Sequence, residues 1–142
     1  MRVLNIAGYF KRYAWTHEQV DAQVWRSTFA TEDDEEFDLY VMMDETWVHF
    51  AVSPFLSQPP AAHQPRLLRI LLRLNQQMRL VYFALDEDGD VNLLTELPVH
   101  GFAYAHFSAA LDALVDYTNT LAHDLARIAH EPTFHSAIIP VE

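Results

Sequence analysis

After Gly101 the sequence holds one unbroken helical period, about 25 residues long. Phe107, Ala110, Leu111, Leu114, Thr118, Leu121, Leu125 and Ile128 fall on one face, with Asp112, Asp116, His123 and Arg127 on the other. A helix this long with a single apolar face needs a broad apolar surface to lie against. The rest of the chain is patterned to supply one.

Arg2 to Tyr13 places Val3, Ile6, Ala7, Phe10 and Tyr13 at helical spacing. Val20 to Phe29 is rich in β-branched and aromatic residues and predicts a strand. Phe37 to Met43 and Val48 to Val52 predict two more, and Asp44-Glu45-Thr46 between them is short enough only for a hairpin. Pro54 is expected to end that strand, because proline cannot donate to a ladder. Pro65 opens a second helix, Arg66 to Met78, whose buried face reads Leu67, Ile70, Leu71, Leu74 and Met78. Leu80 to Leu85 and Val91 to Leu97 are strands joined through Asp88-Gly89, and Pro98 stops the second. The order α-β-β-β-α-β-β-α predicts an α+β fold: an antiparallel sheet of about five strands covered on one face by three helices. An α/β fold is excluded, since strands and helices do not alternate and no Gly-rich turn links them.

The 142 residues suit a single domain over 1–142, with 131–142 as a C-terminal tail bracketed by Pro132 and Pro140 and expected to be poorly ordered. With 51% hydrophobic residues a packed core is expected. The absence of cysteine removes disulfides, thiolate nucleophiles and thiolate metal sites. A formal charge of -11 repels phosphate backbones and anionic lipid surfaces, so neither nucleic acid nor membrane is an expected partner. The start of the chain lacks a signal peptide's apolar run, and no stretch nears a membrane span, which together predict a cytoplasmic protein.

Several sequence details resemble one known family. The middle helix ends in Leu72-Arg73-Leu74-Asn75, followed by the strand Phe83-Ala84-Leu85, the hairpin Asp88-Gly89-Asp90-Val91 and the strand end Glu96-Leu97-Pro98. In this order and spacing they resemble the YbjN family across about residues 1–130. That resemblance implies the fold of the type III secretion chaperones. It also implies a non-enzymatic protein, commonly a homodimer, acting through protein–protein contacts. The acidic Glu32 to Glu36 turn and the Pro59-Pro60 loop match no motif of that family.

Chemistry-bearing residues favour plain structural roles. His100 and His106 are six apart and His123 and His130 seven, neither at the i, i+3 or i+4 spacing of a ligand pair on one helix. His17, His49 and His63 have no evident partner, so no metal or other cofactor is expected. Asp86-Glu87-Asp88-Gly89-Asp90 is too short and wrongly flanked for a calcium loop, and reads as a hairpin turn. Three glycines leave no phosphate-cradling loop or nucleophile elbow. A carboxylate–histidine pair of Glu96 with His100 or His106, near Tyr104, stays open as the core of a pocket between sheet and last helix.

The middle helix carries more apolar surface than a sheet-covering helix needs. Leu68 and Leu72 widen its apolar arc to roughly 200°, and Arg66, Arg69 and Arg73 form a stripe beside it. Either the last helix covers Leu68 and Leu72 or a second copy does. The expectation is a homodimer with Leu68, Leu72, Arg69 and Arg73 at the interface. Most of Trp15, Trp25 and Trp47 are expected in the core. Alternation sets Trp47, His49 and Ala51 opposite Val48, Phe50 and Val52. Trp47 and His49 therefore mark a partner-binding face, unless Trp47 packs beneath the first helix or a loop. The resemblance, together with these surfaces, implies a chaperone-like or adaptor-like module that binds a polypeptide, such as an effector. A bacterial signalling regulator, and a small enzyme or ligand-binding protein with a pocket, are the alternatives.

Overall fold

A computed structural model of the chain describes residues 4–140. The expected helix start at Arg2, with Val3 on its apolar face, lies outside them, as do the last two tail residues. Helix α1 spans Ile6–Tyr13. Asn5 caps it, its side-chain oxygen accepting from the Gly8 N–H at 2.9 Å. Four strands follow: β1 Glu18–Asp21, β2 Val24–Ala30, β3 Glu36–Met43 and β4 Trp47–Leu56. A short 3-10 turn, Ala61–His63, leads into α2, Gln64–Gln77, with Pro65 in its first turn. Then come β5 Tyr82–Leu85, β6 Val91–Pro98 and α3 Tyr104–His130.

The fold is α+β: a single antiparallel sheet ordered β1-β2-β3-β4-β6-β5 and three helices. It has six strands rather than five. The expected strand Val20 to Phe29 is two strands, because the chain reverses at Asp21-Ala22-Gln23. There the Asp21 carboxylate accepts from the Ala22 N–H at 2.7 Å and the Gln19 amide donates to the Ala22 carbonyl at 2.9 Å. Every residue of β1 is exposed, so no burial pattern betrays it.

Pro54 does not end β4. The strand runs on to Leu56, and its register against β6 shifts between Val52 and Leu56. Proline fits where the ladder is interrupted, because no N–H is then required of it. The β3–β4 turn is the expected hairpin, tied by Asp44, which accepts from the N–H groups of Thr46 and Trp47 at 2.8 and 2.7 Å. The β5–β6 loop is organised by Asp86, which accepts from the N–H groups of Asp88 and Asp90 at 2.9 and 3.0 Å. Gly89 takes the left-handed conformation there (φ 84°), which a side chain would disfavour.

One face of the sheet is sealed. Trp25, Phe29, Phe37, Leu39, Val41, Val48, Phe50, Val52, Phe83, Val91 and Leu93 point into a continuous core. All eight residues expected on the inner face of α3 are buried, and Asp112, Asp116, His123 and Arg127 are exposed. Aromatic rings knit the layers together. Phe107 packs 5.1 Å from Phe10 and 5.8 Å from Phe50, while Trp15, Phe29, Phe37, Phe55 and Phe83 form a row with centroid spacings of 5.5, 6.0, 5.9 and 5.0 Å.

The segment after α3 turns back onto the helices where it is described. Ile139 is buried, the Ser136 hydroxyl donates to Asp124 at 2.5 Å and the Arg127 guanidinium lies 3.8 Å over the Phe134 ring.

Candidate functional site

Two apolar surfaces remain after the chain closes on itself. The first lies along α2 and the edge strand β5. Leu67, Ile70, Leu71 and Leu74 face the core. Leu68 is half-buried against it, whereas Leu72 keeps 70% of its surface exposed. The last helix therefore does not cover Leu72. Leu68, Leu72, Phe83 and Leu85 line a groove of about 270 Å³ between helix and strand, and Leu85 is itself exposed. Strand β5 is the edge of the sheet, and Asn75 of α2 caps its outer side, accepting from the Phe83 N–H at 2.7 Å and donating to the Phe83 carbonyl at 3.1 Å.

The expected stripe of three arginines is broken. Arg69 and Arg73 are exposed beside Leu72, but Arg66 is drawn to the chain end, where it donates to the Phe134 carbonyl. A contact between residues 68 apart overrides the position that the helix wheel gives it.

The second surface is the sheet face opposite the helices, which no element covers among the described residues. Trp47 and His49 lie on it, as alternation predicts, since Val48 and Phe50 are sealed in the core. Of the three tryptophans only Trp25 is fully buried; Trp15 is half-buried and Trp47 is 41% exposed, so Trp47 does not pack beneath α1 or a loop. Strand pairing aligns Arg26, Tyr40, Ala51, Leu94 and Tyr82 in one row, and Val24, Met42, His49 and Glu96 in the next.

Polar groups on this face pair across strands. Glu18 and Arg26 form an ion pair, and the Tyr40 hydroxyl first, then Glu18, raises the pKa of the guanidinium. Thr28 donates to Asp38 at 3.1 Å. His49 Nε2 donates to Asp44 at 3.1 Å, and with the Trp47 and Thr46 N–H groups this keeps the Asp44 carboxyl below its usual pKa, the Trp47 bond first. Tyr82 donates to Glu96 at 2.5 Å, and its phenol is pushed up to about 12, first by burial and then by that bond.

The ionisable groups considered for a pocket do not converge. Glu96 lies on the open face, whereas Tyr104 and His106 belong to α3 on the other side. His106 accepts from the Ala103 N–H at 3.0 Å at the helix start, and Tyr104 sits 4.1 Å beneath the Arg12 guanidinium. His100 is exposed in the preceding turn. Among the described residues no three His, Asp or Glu side chains gather to hold a metal ion, and no helix is long and apolar enough to cross a membrane.

Alternation read further along Leu39 and Val41 would have added Tyr40 and Met42 to the open face. Nothing local flags Leu85 as half of a groove, because its partner Leu72 lies across a chain reversal.

Three helices on one side of this antiparallel sheet define the type III secretion chaperone-like fold. A chain of the heterodimeric ExoU–SpcU complex, from the type III secretion system of Pseudomonas aeruginosa, matches with a TM-score of 0.59 and 20% identity. The match covers 91% of this chain and 100% of that one. A chain of the ExsC–ExsE complex matches with a TM-score of 0.59 and 14% identity over 84% and 89% of the two chains. A chain of the complex between the Yersinia pestis type III secretion chaperone SycH and a stable fragment of YscM2 gives 0.53 and 16% over 81% and 94%. The chain belongs to the YbjN family, described as "Putative bacterial sensory transduction regulator", whose model matches residues 4–127. No curated protein matches the sequence.

Proposed function

We propose that the protein is a non-enzymatic, chaperone-like or adaptor-like module that binds another polypeptide and works as a homodimer. One observation carries this reading. Leu72, on a well-packed helix, stays 70% exposed beside the Leu68–Leu85 groove. Burying such a side chain is worth about 1.5–3 kcal/mol, which the solitary subunit does not collect. Leu72 and Leu68 form the centre of the contact between two copies, and Arg69 and Arg73 form its rim. A two-fold axis along α2 lets one groove receive the Leu72 of the other copy. Trp47 and His49 then face outward on each copy for a partner, and the acidic exterior keeps the complex in solution.

Structural neighbours solved as complexes with other proteins support a binding role. The family description favours a second reading, a signalling regulator that works through the same surfaces on a folded partner. Sedimentation velocity at high micromolar concentration tests the dimer: the wild type sediments as a dimer and Leu72→Glu as a monomer. A monomeric wild type overturns it. Suppression of the aggregation of reduced insulin B chain separates the readings, since a chaperone-like module holds extended chains and a regulator of folded partners does not.

A further inference from the structure

We propose that the uncovered sheet face is a docking site for a cationic amphipathic segment, one in which apolar residues are interspersed with Lys or Arg. The inference rests on the polypeptide-binding reading above and adds the chemistry of the partner.

Charge distribution points to it. Arg26 is the only Lys or Arg in the six strands, and Glu18 already pairs with it. Glu36, Asp38 and Glu96 lie on the same face, with Asp44 at its hairpin edge. Lys11, Arg12, Arg66, Arg69, Arg73, Arg79 and Arg127 all sit on the helices or just beyond their ends. The face is thus acidic beyond what the overall composition requires.

Apolar exposure completes the match. Met42 and Val20 are 47% exposed and Trp47 is 41% exposed, and Met42 sits directly across the ladder from His49. An apolar side chain resting on Trp47 and Met42 would lie beside Asp44 at the β3–β4 turn and Glu96 in the row of Met42 and His49, with Asp38 farther along β3 beyond Tyr40. Desolvating these apolar groups supplies affinity, and the carboxylates select the sign of the partner's charge. The same field rejects anionic chains, so an acidic peptide or a nucleic acid is excluded as occupant.

Fluorescence anisotropy of the 142-residue chain with labelled synthetic peptides tests this. The probes are a peptide alternating Leu with Lys, a second with Glu for Lys, and a third with Ser for Leu. Only the Leu/Lys peptide should bind well, and raising salt from about 50 to about 300 mM should weaken it. Trp47→Ser should weaken binding about tenfold or more, and Asp38→Asn with Glu96→Gln several-fold. Asp116→Asn, which removes an exposed carboxylate on α3 away from the sheet face, should leave it unchanged.

Equal binding of the Glu peptide, or indifference to Trp47→Ser, overturns the inference. So does self-association of Leu72→Glu that Trp47→Ser abolishes, which would make a second copy the occupant. If insulin B chain is still held while the Leu/Lys peptide is not, the sheet-face inference fails and the polypeptide-binding reading stands. If neither is bound, both fail.

Discussion

The α2–β5 edge and the open sheet face both leave large apolar side chains in water, yet they differ in charge and in shape. Helix α2 carries three arginines and no carboxylate, and its exposed Leu72 borders a groove that another Leu72 could enter. The sheet face carries one arginine among several carboxylates, and its Trp47 and Met42 stand exposed on the pleated surface. A self-complementary groove suits a two-fold contact, and a sheet face with a charge bias suits a different molecule. Exposure alone would have merged the two.

The sharpest way to break that comparison is to cut on either side of a single strand. On β4, Phe50 is sealed against Phe102 and Phe107 while its neighbour Trp47 faces water. Phe50→Ala should cost about 3–5 kcal/mol in urea unfolding, and Trp47→Ser about 1 kcal/mol or less. A large loss at Trp47 would mean that the open face is part of the core. The same contrast holds along α2. Leu71→Ala, which opens a cavity at a residue only 4% exposed, should cost about 2–5 kcal/mol. Leu72→Ala should barely move the stability of the monomer and should act on the dimer instead, read by unfolding at several protein concentrations.

These paired residues also show what the sequence made legible. The face of α3 was readable because a 27-residue helix repeats its signal many times over. The alternation Val48, Phe50, Val52 was readable because a strand covered on one side must obey period two. Strand β1 was not, since Glu18-Gln19-Val20-Asp21 buries nothing and is held by pairing to β2 alone. Pro54 misled because a pattern of single residues does not reveal where a ladder shifts register. Arg66 and Arg69 read alike in sequence, and a contact with the distant Phe134 carbonyl sets Arg66 apart. For the same reason, which of Leu68 and Leu72 is left uncovered depends on β5, and so did the fate of Glu96, whose partner Tyr82 is on another strand.

Smaller effects come from the polar pairs of the open face. Tyr82 has its folded pKa raised from 10.0 to about 12, so its contribution is complete below pH 10 and is lost as pH rises from 10 to 12. Tyr82→Phe should flatten that alkaline loss, measured by urea unfolding across the window, with Glu96→Gln giving part of the same change.

Asp44 should give the weakest response, at the opposite end of the pH scale. Its carboxyl is held below the ordinary 3.8 by the Trp47 N–H, His49 and the Thr46 N–H. A depressed carboxyl contributes stability that is fully present above 3.8 and is lost as pH falls through the lower folded value. The group is exposed and salt-screened, so the loss is small. Its consequence is local: once Asp44 is protonated, its neutral carboxyl holds the Trp47 N–H and the His49 ring less strongly. Asp44→Asn should therefore shift the Trp47 indole resonance at neutral pH and remove its acid titration, leaving the resonances around Leu72 unmoved. A shift at Leu72 of equal size would show that the two surfaces communicate and are not the independent regions that their charges and geometry describe.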